Sequence, residues 1–155
     1  MINWDKRNWK TIENGDFKFN IKDITAKTFD ETARKWALVI ANSERGVKST
    51  QLRKFYDEIT KLNEKGLNVS HKDFPKKVLP FVKMVRSKVY NAKNKQPSVV
   101  NEAFVIFMDE AISQITTKDD LANFKFLFEA VVGFYQQGKN LIQEVRQNNY
   151  QGRRR

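Results

Sequence analysis

This 155-residue chain has no cysteine, a single histidine, three prolines and six glycines. Without cysteine there is no disulfide, no thiolate nucleophile and no cysteine-based zinc site, a composition that suits the cytoplasm. The one histidine, His71 in "NVSHKDFP", falls between two expected helices and reads as a surface or capping residue. No Gly-rich phosphate loop follows a strand, and no metal-ligand spacing occurs. Adjacent acidic pairs stand at Asp57–Glu58, Asp109–Glu110 and Asp119–Asp120, among others. Neighbours on a helix diverge by about 100° and do not converge on one substrate atom. No enzyme activity, catalytic residue, metal or cofactor is therefore expected. No apolar run approaches the roughly 18 residues of a membrane span. The opening "MINWDKRNWK" is no signal peptide, so a cytoplasmic chain without a membrane partner is expected.

Acid is the scarce charge. Eighteen Asp and Glu face 29 Lys and Arg, a net charge of +11. The surplus is segregated: Arg45 to Lys95 holds fourteen basic residues and only four acids, Asp57, Glu58, Glu64 and Asp73. The tail "GRRR" adds three more, and the remainder is close to neutral. Clustered charge of this kind is an electrostatic footprint for a polyanion.

The periodicity is helical almost throughout, and the expected fold is an all-α, single-domain bundle of about five helices with an irregular N-terminal arm. The boundaries read as an arm over 1–27, a bundle over 28–148 and a basic tail over 149–155. "TFDETARKWALVIAN" opens with a Thr28–Glu31 capping box and sets Phe29, Ala33, Trp36, Ala37 and Ile40 on one face. "STQLRKFYDEITKL" follows, capped by Ser49 or Thr50 and stopping at Gly66, with Leu52, Phe55, Tyr56, Ile59 and Leu62 inward. A third helix starts near Asp73 with Pro75 in its first turn and turns Phe74, Val78, Phe81, Val82, Val85 and Val89 inward. Pro80 is expected to kink it or delay its start. Ser98 is the expected cap of a fourth helix carrying Val100, Phe104, Phe107, Met108, Ala111 and Ile115. Thr117 and Asp120 form a second capping box, ahead of Leu121, Phe124, Phe128, Val131 or Val132, and Tyr135. Gly138 either ends this helix or lets "NLIQEVRQ" continue it. "DFKFNIKDI" alternates like a strand, but one strand has no sheet to join, so it reads as irregular.

On a helical wheel, Lys54, Lys61 and Lys65 fall opposite the core face of the second helix, with Arg53 on a flank near its free N–H groups. On the third, Lys76, Lys83, Arg86 and Tyr90 make one line, and Lys77 and Lys88 another. Basic faces with few acids track a phosphodiester backbone. Tyr90 beside them reads either as a packing residue at the edge of the core, the commoner role, or as a stacking platform for a base. No zinc-finger spacing or RNA-recognition "GFGF" core is present, so base readout is not expected. The candidate RNA-binding residues are Lys48, Arg53, Lys54, Lys61, Lys76, Lys83, Arg86, Lys88 and Lys93.

"STQLRKFYDEI" resembles the second-helix signature of the small subunit of the CRISPR type III-A effector, the Csm complex. "FKFLFEAVVGFYQQ" resembles that family's closing helix through Phe124, Phe128, Glu129, Ala130, Val131, Val132 and Gly133. Where the family usually carries a His and a basic residue, this chain has Tyr135 and Gln136. "LPFVKMVRSKVYNAKNK" is similar to its basic third helix, and the likeness spans roughly Phe29 to Gln137. The resemblance implies a non-catalytic helical subunit of antiviral defence. It stacks in several copies along a guide–target duplex and holds the target RNA by its backbone. Its partners would be target and guide RNA, the large and backbone subunits of the Csm complex, and further copies of itself. Other readings stay open: the small subunit of the type III-B effector, a stand-alone basic nucleic-acid-binding protein, or a helical adaptor for an acidic protein.

Overall fold

The structure is a computed structural model that describes residues 17–43 and 45–154, with the backbone alone for 141–146. Trp4 and Trp9 of the arm lie outside the described residues. The fold is all-α, with no strand among the described residues. A π-helical turn, Thr28–Thr32, leads into α1 (Ala33–Asn42), and α2 (Ser49–Leu67), α3 (Phe74–Lys77), α4 (Leu79–Asn94), α5 (Glu102–Gln114) and α6 (Lys118–Arg153) follow. α6 is the spine, packing against α1 and α2, while α4 lies on α5.

The core is aromatic. Phe107 and Phe128 meet at 5.8 Å between ring centroids, and Phe124 lies 6.0 and 5.7 Å from them. Trp36 joins from α1 at 5.4 Å from Phe107, and Phe55 from α2 at 5.5 Å from Phe104. Tilted and edge-on pairs at these separations add about 0.5–1.5 kcal/mol each beyond their area burial.

The irregular segment before the π turn is docked on this core. Phe19 and Ile21 are buried, and Phe19 lies 5.8 Å from Phe107. Its backbone cannot pair in a sheet, so side chains satisfy it. Ile21 N–H donates to Gln114 Oε1 at 2.8 Å, and Asn123 Nδ2 donates to the Ile21 carbonyl at 2.8 Å. Trp36 Nε1 donates to the Phe17 carbonyl at 2.8 Å.

Several local expectations are corrected. The Thr28–Glu31 capping box does not form: the Thr28 hydroxyl accepts from Thr25 N–H, and Glu31 faces Lys27 in solvent. Ser49 and Thr50 are helical, and Lys48 occupies the N-cap of α2 with no side-chain cap. Asn101, not Ser98, caps α5, accepting from Phe104 N–H while its amide donates to the carbonyls of Ile40 and Ser43. One side chain thereby closes the end of α1 and the start of α5. Ser98 donates instead to the Lys93 carbonyl. Phe81 is 50% exposed, because it falls on the edge of the Val78–Val82–Val85–Val89 stripe, under the Lys65 ammonium. The chain breaks at Val78 and restarts with Pro80 in the first turn of α4, as the proline required. α6 runs through Gly138. A Cβ there would stand 3.2 Å from Leu38 and 3.3 Å from Ala41, so the glycine permits close packing on α1.

The Thr117–Asp120 capping box is present. Burial alone pushes the Asp120 carboxyl up. The Lys22 ammonium at 2.5 Å, the N–H groups of Thr116 and Thr117 and the Thr116 hydroxyl outweigh it and hold the carboxyl at about 2. A carboxylate depressed by folding stabilises fully above its unfolded value near 3.8 and loses that contribution as pH falls through about 2. Asp120→Ala is expected to lower stability at pH 7 by about 2 kcal/mol, with the difference from wild type shrinking between pH 4 and pH 2. Denaturant melts across that range measure both effects.

Candidate nucleic-acid interface

The nine basic candidates divide by what surrounds them. Lys48, Arg53, Lys54 and Lys61 are exposed on α2 and the residue before it, and Lys76 is exposed on α3. None of these five side chains makes a hydrogen bond or ion pair among the described residues.

The α4 candidates face neighbouring helices. Lys83 Nζ donates to the Ile112 carbonyl at 2.6 Å, meeting the negative end of α5. Burial, with Arg86 and Lys22 nearby, lowers the Lys83 ammonium below its usual range despite Asp120. Arg86 Nε donates to Asp109 Oδ1 at 2.9 Å, and the Tyr90 hydroxyl donates to the other oxygen of the same carboxylate. That hydrogen bond and charge raise both Arg86 and Tyr90. Lys88 pairs with Glu58 of α2. Lys83, Arg86 and Tyr90 thus fasten α4 to α5, and Lys88 fastens it to α2, while Lys77 of α3 pairs with Asp73. Lys93 is half-buried near the end of α4.

At the start of α2, Lys48 and Arg53 make no ion pair among the described residues. No side chain caps this start, and Lys48 supplies only its carbonyl, to the N–H groups of Gln51 and Leu52. Lys139 of α6 reaches it, 3.5 Å from Ser49 Oγ and 4.9 Å from the Tyr135 ring centroid. Exposed N–H groups at a helix start, ringed by Lys48, Arg53 and Lys139, form an environment that favours an anion. Sequence reasoning missed Lys139. It lies 90 residues from Ser49, and only its place one turn after Tyr135 hints at it.

Tyr135 fixes this corner. Its buried hydroxyl accepts from Val47 N–H at 2.9 Å and donates to the Val47 carbonyl at 2.5 Å. Burial pushes the phenol up, against the backbone bond. Gly46, at φ 71, makes the turn that brings Val47 to the ring. The connection from α1 to α2 is pinned at two points, Asn101 and Tyr135.

The Csm2 Type III-A family model matches residues 23–140. The chain belongs to this family. It is a type III-A small subunit of the CRISPR effector, and the Csm2 match spans all six helices except the last turns of α6. No curated protein and no solved structure matches it. Among the described residues no cluster of three His, Asp or Glu is disposed to hold a metal. No helix there is long and apolar enough to cross a membrane.

The division among the basic residues is testable by stability. Lys83→Ala is expected to cost about 1–2 kcal/mol, since the α5 carbonyl loses a charged donor. Arg53→Ala and Lys54→Ala are expected to stay within about 0.5 kcal/mol of wild type. Urea melts of the three variants check this.

Proposed function

We propose that this Csm2-family chain is a non-catalytic RNA-holding subunit. It lies in several copies along the guide–target duplex and grips the target strand by its phosphates. The observation that carries the reading is the run of unengaged cations on and just before α2: Lys48, Arg53, Lys54 and Lys61 have no acid partner among the described residues, beside a helix start without a side-chain cap there. A cation held by a carboxylate must give up that partner before it meets a phosphate, and an unengaged one need not. The first contacts are therefore assigned to α2, with Arg53 foremost because its planar fork suits phosphate oxygens. Lys76 on α3 is exposed and unengaged among the described residues as well. Lys83, Arg86 and Lys88 take part in RNA binding only through the field they add, because their heads are engaged by the Ile112 carbonyl, Asp109 and Glu58.

Sequence specificity belongs to guide pairing in this reading, as in other RNA-guided systems. The small subunit reads backbone geometry. Cleavage chemistry is assigned to the larger subunits of the complex, with which this chain assembles.

Arg53→Ala/Lys54→Ala is expected to weaken target binding by the assembled complex equally for every target sequence. Each lost contact flattens the log–log salt dependence by about 0.7 for a single strand. Helix stability holds, because both residues are exposed and alanine is the better helix former. Phe55→Ala instead costs about 3–5 kcal/mol of folding stability through its core cavity. Salt titrations of RNA binding with thermal melts on the same samples separate the two. A double variant that binds with an unchanged slope removes these side chains from the RNA path.

A further inference from the structure

α6 runs past the helices it packs against. Gly138 lies against Leu38 and Ala41 of α1, and Lys139 reaches Ser49 at the start of α2. The helix then continues to Arg153. Every residue from Gln147 to Arg154 is exposed, so its end presents no core face. The Csm2 match stops at residue 140, before this stretch, and family membership does not account for it.

Such a segment is poorly held as a helix by itself. Asn148, Asn149 and Gly152 are weak helix formers. A helix exposed all round needs many pairs four residues apart, or a partner. Among the described residues this stretch makes one such pair, Tyr150 with Arg154. Arg154 Nη2 donates to the Tyr150 hydroxyl at 3.1 Å, and the guanidinium stands 4.8 Å from the ring centroid. The ring is still 62% exposed. An aromatic face is thus held in water with a cation laid against it.

Charge and placement select the partner. Gln147 to Arg155 contains three arginines and no acid. Cations near the end of a helix suit its dipole, but the dipole asks nothing of an exposed ring. Arginines beside an exposed ring match a nucleic-acid single strand, whose phosphates take the cations and whose unstacked bases take the ring. A duplex hides its base faces and offers the phosphates alone. At 1.5 Å per residue, Tyr150 lies about 16 Å along the axis beyond Lys139. A strand that leaves the corner charged by Lys48, Arg53 and Lys139 therefore meets this stretch next.

We propose that α6 beyond Lys139 is an arm that binds single-stranded RNA without sequence preference. Tyr150 stacks on a base and Arg153 takes a phosphate. Arg154 does likewise, with N–H groups to spare beyond the one on Tyr150. The choice of RNA rests on the function proposed above, but the arm uses none of the α2 residues.

The test titrates the isotopically labelled full chain with a short mixed-sequence single-stranded RNA, with the same RNA as a duplex, and with polyglutamate. The single strand is expected to shift the amides of Gln147 to Arg154 saturably, with the duplex and polyglutamate at least about tenfold weaker. Tyr150→Phe keeps this binding, and Tyr150→Ala weakens it about tenfold. Arg153→Ala/Arg154→Ala flattens the log–log salt dependence by about 0.7 for each lost contact. None of these variants moves the melting temperature, because the stretch is exposed. Arg53→Ala/Lys54→Ala keeps the arm's shifts at saturating RNA, so failure of the α2 reading leaves the arm standing, and the reverse holds. Arm amides that do not respond to RNA overturn the proposal, as do equal losses in Tyr150→Phe and Tyr150→Ala. A duplex that binds as well as the single strand reduces the arm to a phosphate surface, and polyglutamate that does so assigns it to an acidic protein. Either result also overturns it.

Discussion

The contact between Phe107 and Phe128 is the one on which the rest of the fold rests. These rings join α5 to α6 at 5.8 Å, and the docked segment, α1 and α2 reach them through further ring contacts. Trp36 and Phe19 bring α1 and the docked segment to Phe107, while Tyr56 brings α2 to Phe128. Rings of this size bury large areas but leave gaps unless they tilt, so their mutual angles dictate how closely each helix approaches. With α2 held by Phe55 and Tyr56 on one side, Arg53, Lys54 and Lys61 are left at the surface. The exposed basic face is thus a geometric consequence of the aromatic core.

A chain with +11 net charge works against its own compactness, and part of the surplus is absorbed internally. Asp109 takes Arg86 and the Tyr90 hydroxyl, Glu58 takes Lys88, and the carbonyl end of α5 takes Lys83. Each of these contacts joins α4 to a neighbour. Exposed pairs of this sort contribute little stability individually, in the range of about 0–1 kcal/mol. Their larger effect is on charge distribution: the field between helices is relieved, while the start of α2 keeps its cations and gains Lys139.

Helix number, core faces and the second capping box were legible in the sequence, because each depends on residues within a few turns of one another. Phe104, Phe107, Phe124 and Phe128 are all buried where their spacing put them. What was not legible depends on distant partners. Asn101 caps α5 because its amide finds the end of α1, a contact across 58 and 61 residues that no local motif encodes. The Thr28–Glu31 pattern had the right letters, but the chain enters the helix earlier, and Thr28 bonds back to Thr25. Phe81 failed for a local reason: at the flank of a stripe, one helical position decides between burial and exposure. On the candidate interface, the wheel found the basic lines on α4 but not Asp109, Glu58 or the Ile112 carbonyl that engage them. Those partners lie 19 to 30 residues away on other helices.

Tyr135 shows how one substitution within a family pattern is absorbed by its surroundings. The resemblance drawn from the sequence sets a histidine and then a basic residue where this chain has Tyr135 and Gln136. A phenol reaches farther than an imidazole and offers both a donor and an acceptor on one oxygen, which is what the single residue Val47 demands. Because burial raises the phenol, it stays neutral through the physiological range and the donor is never lost. The tyrosine therefore makes the geometry at the start of α2 independent of pH. Positive charge at that corner comes from Lys48, Arg53 and Lys139. In this member of the family, the residue that positions the α2 corner and the residues that charge it are separate.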